Sequence, residues 1–328
     1  MSNNTNLNTA KMVKNDEFYT QLSDIEREIS YYDNVYFKDK VVLCNCDGVS
    51  SKFWEYFHKN FKVKGLRKLI GISYALQAEG RGKVYIYEGG TTADSDMDLN
   101  ICVEIELTGR GDFREEECIE YLKGANVVVT NPPFSLFREY VAQLIEYDKK
   151  FLIIGNGNAV TYKEIFPLIK ENQMWVGVTR QMTGSMWFRI PDDMPYKKRQ
   201  KIENGVRYQN IGNSCWFTNL DVSYRHEKII LRKSYNTTDF PQYDNYDAIE
   251  VSNVSDIPVD YNQVMGVPIT FLGKYNPEQF EIVGWSRHNA LDMDGGYWHE
   301  GTKNDALING KAVYRRILIR KKVCAGYD

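Results

Sequence analysis

The stretch Asn126–Tyr147, NVVVTNPPFSLFREYVAQLIEY, constrains the fold of this chain more than any other. Val127, Val128 and Val129 form a short β-branched run of the kind found in strands buried on both faces. Phe137, Tyr140, Val141, Leu144 and Ile145 then recur at helical spacing. Between strand and helix stand Asn131-Pro132-Pro133-Phe134. Two consecutive prolines lack backbone N–H groups and fix their φ angles, so they end the strand in a rigid elbow. Open α/β sheets bind their ligands at such carboxyl ends. The elbow offers two acceptors, the Asn131 side-chain oxygen and the Pro132 carbonyl, and one ring face, Phe134. An exocyclic amine on a planar ring fits that set: two acceptors take its two hydrogens and the ring stacks on the aromatic. Its lone pair is then drawn out of conjugation and can attack an electrophilic methyl group. A proline-rich loop with no chemical role is the plainer alternative; the preceding strand, the phenylalanine and the following helix argue against it.

Asn131-Pro132-Pro133-Phe134 resembles the catalytic motif of amino-methyltransferases that use S-adenosylmethionine. The longer string NPPFSLFREYVAQLIEY, together with DEFYTQ at Asp16–Gln21 and MGVPITFLGKYNPEQF at Met265–Phe280, resembles the EcoRI adenine-specific DNA methyltransferase family. The resemblance runs from about Lys14 to about Lys322. It implies a Rossmann-like, doubly wound, mostly parallel α/β sheet of the class I methyltransferase kind, with a loop-rich DNA-recognition region. It implies S-adenosylmethionine as cofactor and double-stranded DNA as partner, with Asn131, Pro132, Pro133 and Phe134 as the catalytic set. A cognate restriction nuclease is a possible companion that the activity does not require.

The 328 residues suffice for one large domain or for a core with an appended module. Hydrophobic residues are 43% and charged residues 26%, as in ordinary soluble proteins. No apolar run reaches the ~18 residues that a membrane span needs. The opening MSNNTNLNTAKMVKND is polar, unlike a signal or transit peptide, and is expected to be a disordered tail over residues 1–13 of a cytoplasmic monomer. Six cysteines include no C-x-x-C pair, and the four histidines are scattered, so no metal site is expected. Asp94-x-Asp96-x-Asp98 fails as a calcium loop because Leu99 and Ile105 stand where glycine and glutamate are needed. Net charge is −3, so any nucleic-acid footprint has to be local. Two basic clusters could supply it: Lys197-Lys198-Arg199-Gln200-Lys201, and Arg315-Arg316 with Arg320-Lys321-Lys322.

Along the chain, Asp16–Thr20 combines acidic, aromatic and hydroxyl groups ahead of a helical pattern through Ile25, Ile29 and Tyr32. The family resemblance folds this element back onto the cofactor, with Thr20 toward its carboxylate and Tyr19 close by; a plain helix start is the alternative. Lys40–Cys44 reads as the first core strand, followed by Asn45-Cys46-Asp47-Gly48 and an amphipathic helix. That is a cofactor-binding βα unit without the usual glycine-rich fingerprint. Asn45, Cys46 and Asp47 occupy the strand tip. Arg67–Ser73 is a second strand; no acid follows it, and Tyr74 either stacks on adenine or packs at the surface. Leu99–Leu107 alternates as a half-buried strand and forms a possible hairpin with Lys83–Glu88. Asp112 stands where a helix is expected to begin, suited to capping it; the resemblance gives Asp112 the adenine amine of the cofactor and Phe113 a flank of its ring.

Strands and helices alternate through residues 14–178, the expected cofactor-binding catalytic core. From Thr179 onward aromatic and basic residues interleave and βα alternation fades, marking 179–328 as the target-recognition region. Trp216 or Phe217 is expected as a second aromatic platform opposite Phe134, with a core aromatic as the alternative. Lys197, Lys198 and Arg199 are expected at the DNA backbone, and Arg287 or His288 at base edges. The reading is a sequence-specific DNA adenine methyltransferase acting on a flipped-out base. Methylation of another planar amine, in RNA or a protein glutamine, is the runner-up, and a DNA-binding protein without catalysis is the rival from another class.

Overall fold

The computed structural model describes residues 19–77, 79–89, 102–179, 186–192, 198–210, 212–286 and 305–322. The expectations for the N-terminal tail, Asp16–Phe18, Lys197, Arg287 and His288 lie outside the described residues. The described residues divide into two compact units, one within 1–159 and 176–220, the other within 160–175 and 221–328.

The first unit is built on a mixed sheet. Its strands are β1 (Val41–Cys44), β2 (Lys68–Ser73), β3 (Lys83–Tyr87), β4 (Val103–Glu106), β5 (Val127–Thr130), β6 (Lys150–Asn156) and β11 (Ser214–Thr218). They lie in the order β4-β3-β2-β1-β5-β6-β11, with the short β7 (Trp175–Val176) beyond β11. The middle four strands are parallel: β1 pairs with β2 and β5, and β5 with β6. β3, β4 and β11 are antiparallel additions. β1 and β5 are buried at every position, which is why VVLC and VVVT show no alternation. β4 corrects the half-buried expectation: Val103–Glu106 are exposed on the sheet edge, although the hairpin with β3 forms.

Helices link the parallel strands. α1 (Leu22–Ile29) precedes β1. α2 (Lys52–Lys59) starts at Ser51, whose hydroxyl accepts from the Trp54 amide at 3.1 Å. It buries Phe53, Trp54, Tyr56 and Phe57 and leads into the single turn α3 (Phe61–Lys64). α4 (Glu116–Gly124) and α5 (Phe137–Glu146) flank β5 in sequence. The chain runs from β1 outward to β2 on one side and returns to β5 on the other. The loops after β1 and β5 therefore diverge at the same end of the sheet, which is where a crevice opens.

A second sheet of this unit has the order β8-β10-β9: Trp187–Arg189, Val206–Asn210 and Gln200–Glu203. Asn204-Gly205, both at positive φ, turn β9 into β10. Tyr19 joins β8 through an antiparallel bridge to Arg189, with mutual backbone bonds of 2.9 and 3.0 Å.

In the second unit, α6 (Phe166–Lys170) carries Pro167 in its first turn, where the missing N–H costs no intrahelical bond. A four-stranded sheet follows the order β12-β13-β17-β14: Ile249–Glu250, Met265–Pro268, Arg316–Lys321 and Phe280–Trp285. Val267, Phe271, Phe280, Ile317 and Ile319 fill its core. A two-stranded hairpin pairs β15 (Leu307–Ile308) with β16 (Lys311–Ala312). No helix among the described residues is long and apolar enough to cross a membrane.

Candidate active site

A cavity of about 1180 Å³ opens within the first unit, at the carboxyl ends of β1, β2 and β5. Asn131 and Pro133 of the elbow line it, together with Cys46 and Asp47 after β1, Tyr74 after β2, and Asp112 and Phe113 before α4. Tyr19 and Thr20 close the wall from the N-terminal side. Nine residues singled out from the sequence thus meet around one space, although they are spread from position 19 to 133.

Asp47 bridges the loops after β1 and β5 where they leave the sheet. Its Oδ2 accepts from the Thr130 hydroxyl at 2.5 Å and from the Asn131 amide at 3.1 Å. Burial pushes the Asp47 carboxyl up to about 6, against hydrogen bonds from Thr130, Asn131 and Ser51 that pull it down. Burial also pushes the Cys46 thiol well above its usual range, so it stays neutral. Gly48 packs against Ser73, where an added Cβ would lie 2.8 Å from the serine Cβ. That close approach between the loop and β2 explains the single glycine the loop retains.

Asp112 does not cap the helix. The helix begins at Glu116 with Glu115 at its N-cap position, so the capping expectation is corrected. The Asp112 carboxylate instead holds Arg114 through two parallel bonds, 2.9 Å from Nε and 2.7 Å from Nη2. Burial opposes its charge, yet the guanidinium keeps the carboxyl below the usual range. Gly111 before it takes φ +83°, and a Cβ there would fall 2.5 Å from the Ser73 carbonyl oxygen, so only glycine fits. Phe113 is buried edge-on against Tyr140, with centroids 4.9 Å apart. The Arg110 guanidinium covers Tyr74, 4.7 Å from the ring centroid.

Thr20 is buried and lines the cavity, and no described residue hydrogen-bonds its hydroxyl oxygen. A buried hydroxyl facing an open cavity is suited to a ligand group. Together with the carboxylates of Asp47 and Asp112 and the ring of Phe113, the lining matches a molecule with a polar amino-acid end and an aromatic base.

Several expected residues lie elsewhere. Asn45 is buried beside Tyr140, behind the cavity wall. Pro132 is buried, and Phe134 stands partly exposed, edge-on to Phe188 at 6.4 Å; neither is among the residues lining the cavity. Trp216 and Phe217 are both fully buried on β11, against Phe53 and Phe137 respectively. A stacking platform must be reachable by its ligand, so these two are core aromatics and that expectation is corrected. Lys198 and Arg199 are exposed at the start of β9 and do not line the cavity.

Sequence reasoning missed Arg189 and Tyr208, which line the cavity from the three-stranded sheet. Tyr208 pairs directly with Arg189 and also with Lys201, whose ammonium lies 5.4 Å from the Tyr208 centroid and 5.0 Å from that of Trp187. Directly paired residues share a face, so Tyr19, Arg189, Tyr208 and Lys201 form one row across the strands. The signal was present in Asn204-Gly205 between two alternating runs, but register across it is not legible from one sequence.

The profile of the family described as adenine-specific methyltransferase EcoRI matches residues 6–322. The chain is 47% identical to the Type II methyltransferase M.EcoRI of Escherichia coli over 331 aligned positions, covering 96% of each protein. It is 36% identical to the Type II methyltransferase M.MpnI of Mycoplasma pneumoniae over 326 positions, covering 96% of this chain and 98% of that protein. A Mycoplasma genitalium relative, M.MgeORF184P, is similar to the same degree, at 36% over 326 positions. No solved structure matches the chain. With a family profile spanning all but its ends, the chain belongs to the EcoRI family of adenine-specific DNA methyltransferases.

Proposed function

We propose that this protein transfers the methyl group of S-adenosylmethionine to the exocyclic amine of an adenine flipped out of duplex DNA, at a specific sequence, on a Rossmann-like core. The observation that carries the reading is the convergence of the Asn131-Pro132-Pro133 elbow with Thr20, Asp47, Asp112 and Phe113 around one cavity at the carboxyl ends of the parallel strands.

Bound there, S-adenosylmethionine supplies an electrophilic methyl group. Thr20 and Tyr19 would hold its amino-acid end, with Cys46 and Asp47 beside it. Asp112, Phe113 and Tyr74 would hold its adenine. The Asn131 side-chain oxygen would orient the substrate amine, with the Pro132 carbonyl and the Phe134 ring next to it in the elbow, though outside the cavity lining. Orientation and exclusion of water provide most of the acceleration. No strong base is required, because the amine becomes acidic once methylated and releases its proton to water.

A base inside a duplex cannot reach such a cavity, so it must leave the stack at a cost of a few kcal/mol. Tyr208, on the cavity wall and beside Arg189 and Lys201, is the second aromatic surface we assign to the extruded nucleotide. Lys198 and Arg199, with the region after Thr179, would meet the DNA backbone. The Type II naming of the relatives fits a modification enzyme of a restriction system, active without its nuclease.

Expression in a host that lacks DNA methylation, followed by sequencing that detects modified adenines, tests the reading. Methylated adenine within one recurrent sequence is expected. Unmodified DNA, with methylation found on RNA or on protein glutamine, would favour another planar amine. Absence of S-adenosylmethionine binding in calorimetry would favour a DNA-binding protein without catalysis.

A further inference from the structure

We propose that Asp47 is a positioning residue for methyl transfer: its carboxylate grips the Thr130 hydroxyl and the Asn131 amide, and the ionised form sets the elbow in its working geometry. The inference rests on the reading of Asn131 as a catalytic residue.

Asp47 and Asn131 are 84 residues apart and meet only because β1 and β5 are adjacent parallel strands. The two bonds reach the last residue of β5 and the first residue of the elbow, the two points that determine how the elbow leaves the sheet. Pro132 and Pro133 offer no N–H, so the Asn131 amide is the last donor the elbow has before Phe134. A neutral carboxyl accepts more weakly than a carboxylate and can turn its proton toward either donor. Protonation of Asp47 therefore loosens the elbow at its root, about one residue from the atoms that hold the substrate amine. Displacement on the order of 1 Å is enough to cost about 100-fold in rate.

The partners that hold Asp47 are neutral donors: Thr130, Asn131 and Ser51. The ionisable groups that interact with it are Cys44 and Cys46 on its own strand and loop and Tyr140 on α5; Lys52 at the start of α2, and Asp112 and Arg114 before α4, line the same cavity. Burial raises the two thiols and the Tyr140 phenol well above their usual ranges, so all three stay neutral. Lys52 pairs with Glu55 at 2.5 Å, and Arg114 with Asp112 at 2.7 Å. Asp112 stays ionised, held below the usual carboxylate range. Asp47 is then the group at the elbow whose charge changes near pH 6. His58 on α2 also titrates in acid, so the comparison with an Asp47 variant, not the wild-type profile alone, assigns the effect.

The test measures single-turnover methyl transfer from pH 5 to 8 on the full-length protein, with cofactor affinity measured in parallel by calorimetry. Wild type should lose rate as pH falls through about 6. Asp47→Asn should be slower by about 10- to 100-fold at saturating cofactor and flat across that window; because Asp47 also lines the space assigned to the cofactor, any loss of affinity is read separately by calorimetry and removed from the rate by saturation. Thr130→Val removes one of the bonds that favour the charged form and leaves the acid in place; its rate midpoint should move to higher pH, and Thr130→Ser should restore it. In the cofactor-free protein, the amide NMR signal of Asn131 should shift with pH near 6 in wild type and stay fixed in Asp47→Asn.

A wild-type pH profile in Asp47→Asn, or an Asn131 signal that does not titrate, overturns the inference. So does a variant whose only defect is cofactor affinity. Should Asp47→Asn fold poorly, the midpoint of Thr130→Val decides. An active Asn131→Ala enzyme would instead overturn the reading of the elbow itself, which is a separate outcome.

Discussion

Oδ2 of Asp47 and the amide of Asn131 lie 3.1 Å apart, joining the loop after β1 to the elbow after β5. Burying the carboxylate that makes this contact has a cost in stability, which the contact only partly offsets. Burial lifts the Asp47 carboxyl from 3.8 to about 6, so the folded state holds that proton more tightly than the unfolded chain does. The stabilising contribution of the protonated form is complete below about pH 4 and lost as pH rises through about 6. Asp47→Asn should therefore gain stability relative to wild type on going from pH 4.5 to 7.5, by about 1–2 kcal/mol after allowance for solvent in the cavity. Thermal melts at the two pH values check this. A difference that does not change with pH would mean the acid is not strained in the fold.

Asn131→Ala should reduce methyl transfer by at least about 100-fold and leave cofactor affinity within a few-fold. The side chain is assigned to the substrate amine, not to the cofactor, so the defect belongs in the chemical step. Single-turnover kinetics beside calorimetry separates the two. Near-normal turnover would remove Asn131 from the catalytic set.

Glu28 is a fully buried acid on α1 that accepts from Tyr32, from the Val178 and Thr179 amides at 2.8 and 2.7 Å, and from the Thr179 hydroxyl. Burial raises its carboxyl above the usual range despite these donors. It ties the N-terminal helix to the turn where the chain leaves the sheet after β7. Glu28→Ala orphans the two amides and should destabilise by about 2–4 kcal/mol. Glu28→Gln keeps an acceptor for part of the set and should cost less. Urea unfolding of the pair would show whether the order holds.

What the sequence revealed and what it hid divide along physical lines. Val127–Thr130 and Val41–Cys44 were legible as core strands because burial on both faces leaves an unbroken apolar run, and the elbow because proline has no N–H to give. Nine residues singled out from the sequence line one cavity, each at the tip of a readable strand or on a segment marked by the family resemblance. Trp216 and Phe217 misled, since an aromatic pair on a strand reads the same in a core as in a cleft; only the neighbouring β6 and β7 decide which it is. Tyr208 and Arg189 stayed hidden because their importance comes from cross-strand register, a long-range property. The Asp47 contact was invisible for the same reason: residues 84 positions apart meet through sheet topology.

Tyr208→Ala should impair transfer to duplex DNA much more than cofactor binding, by about 1–3 kcal/mol, the value of one base–aromatic stack. Tyr208→Phe should retain most of the activity, because the ring and not the hydroxyl does the stacking. Fluorescence of 2-aminopurine at the target position would report whether the base still leaves the duplex. Equal activity in Tyr208→Ala and wild type would leave the cavity wall without a second stacking surface.

The two basic clusters should behave in opposite ways. Lys198 and Arg199 are exposed beside the β9–β10 hairpin, and exposed cations that meet phosphates release counterions, with a log–log salt slope of about −0.9 per contact. Replacing both by alanine should flatten the salt dependence of DNA binding by up to about two units, and it should not relax the choice of site, because phosphate contacts position rather than specify. The C-terminal cluster is engaged inside the second unit. Arg316 is bound to the buried Glu250 at 2.6 Å, and Glu250 also accepts from Tyr243; Arg320 holds Glu281 at 2.5 Å. Arg316→Leu leaves the buried Glu250 without its cation, a loss of about 3–5 kcal/mol. Its signature is a lower unfolding midpoint with an unchanged salt slope in whatever fraction stays folded. A variant of Arg316 that kept wild-type stability and flattened the slope would mean that the ion pair opens to DNA. The footprint would then belong to the second unit, and Lys198 and Arg199 would be an ordinary solvated face.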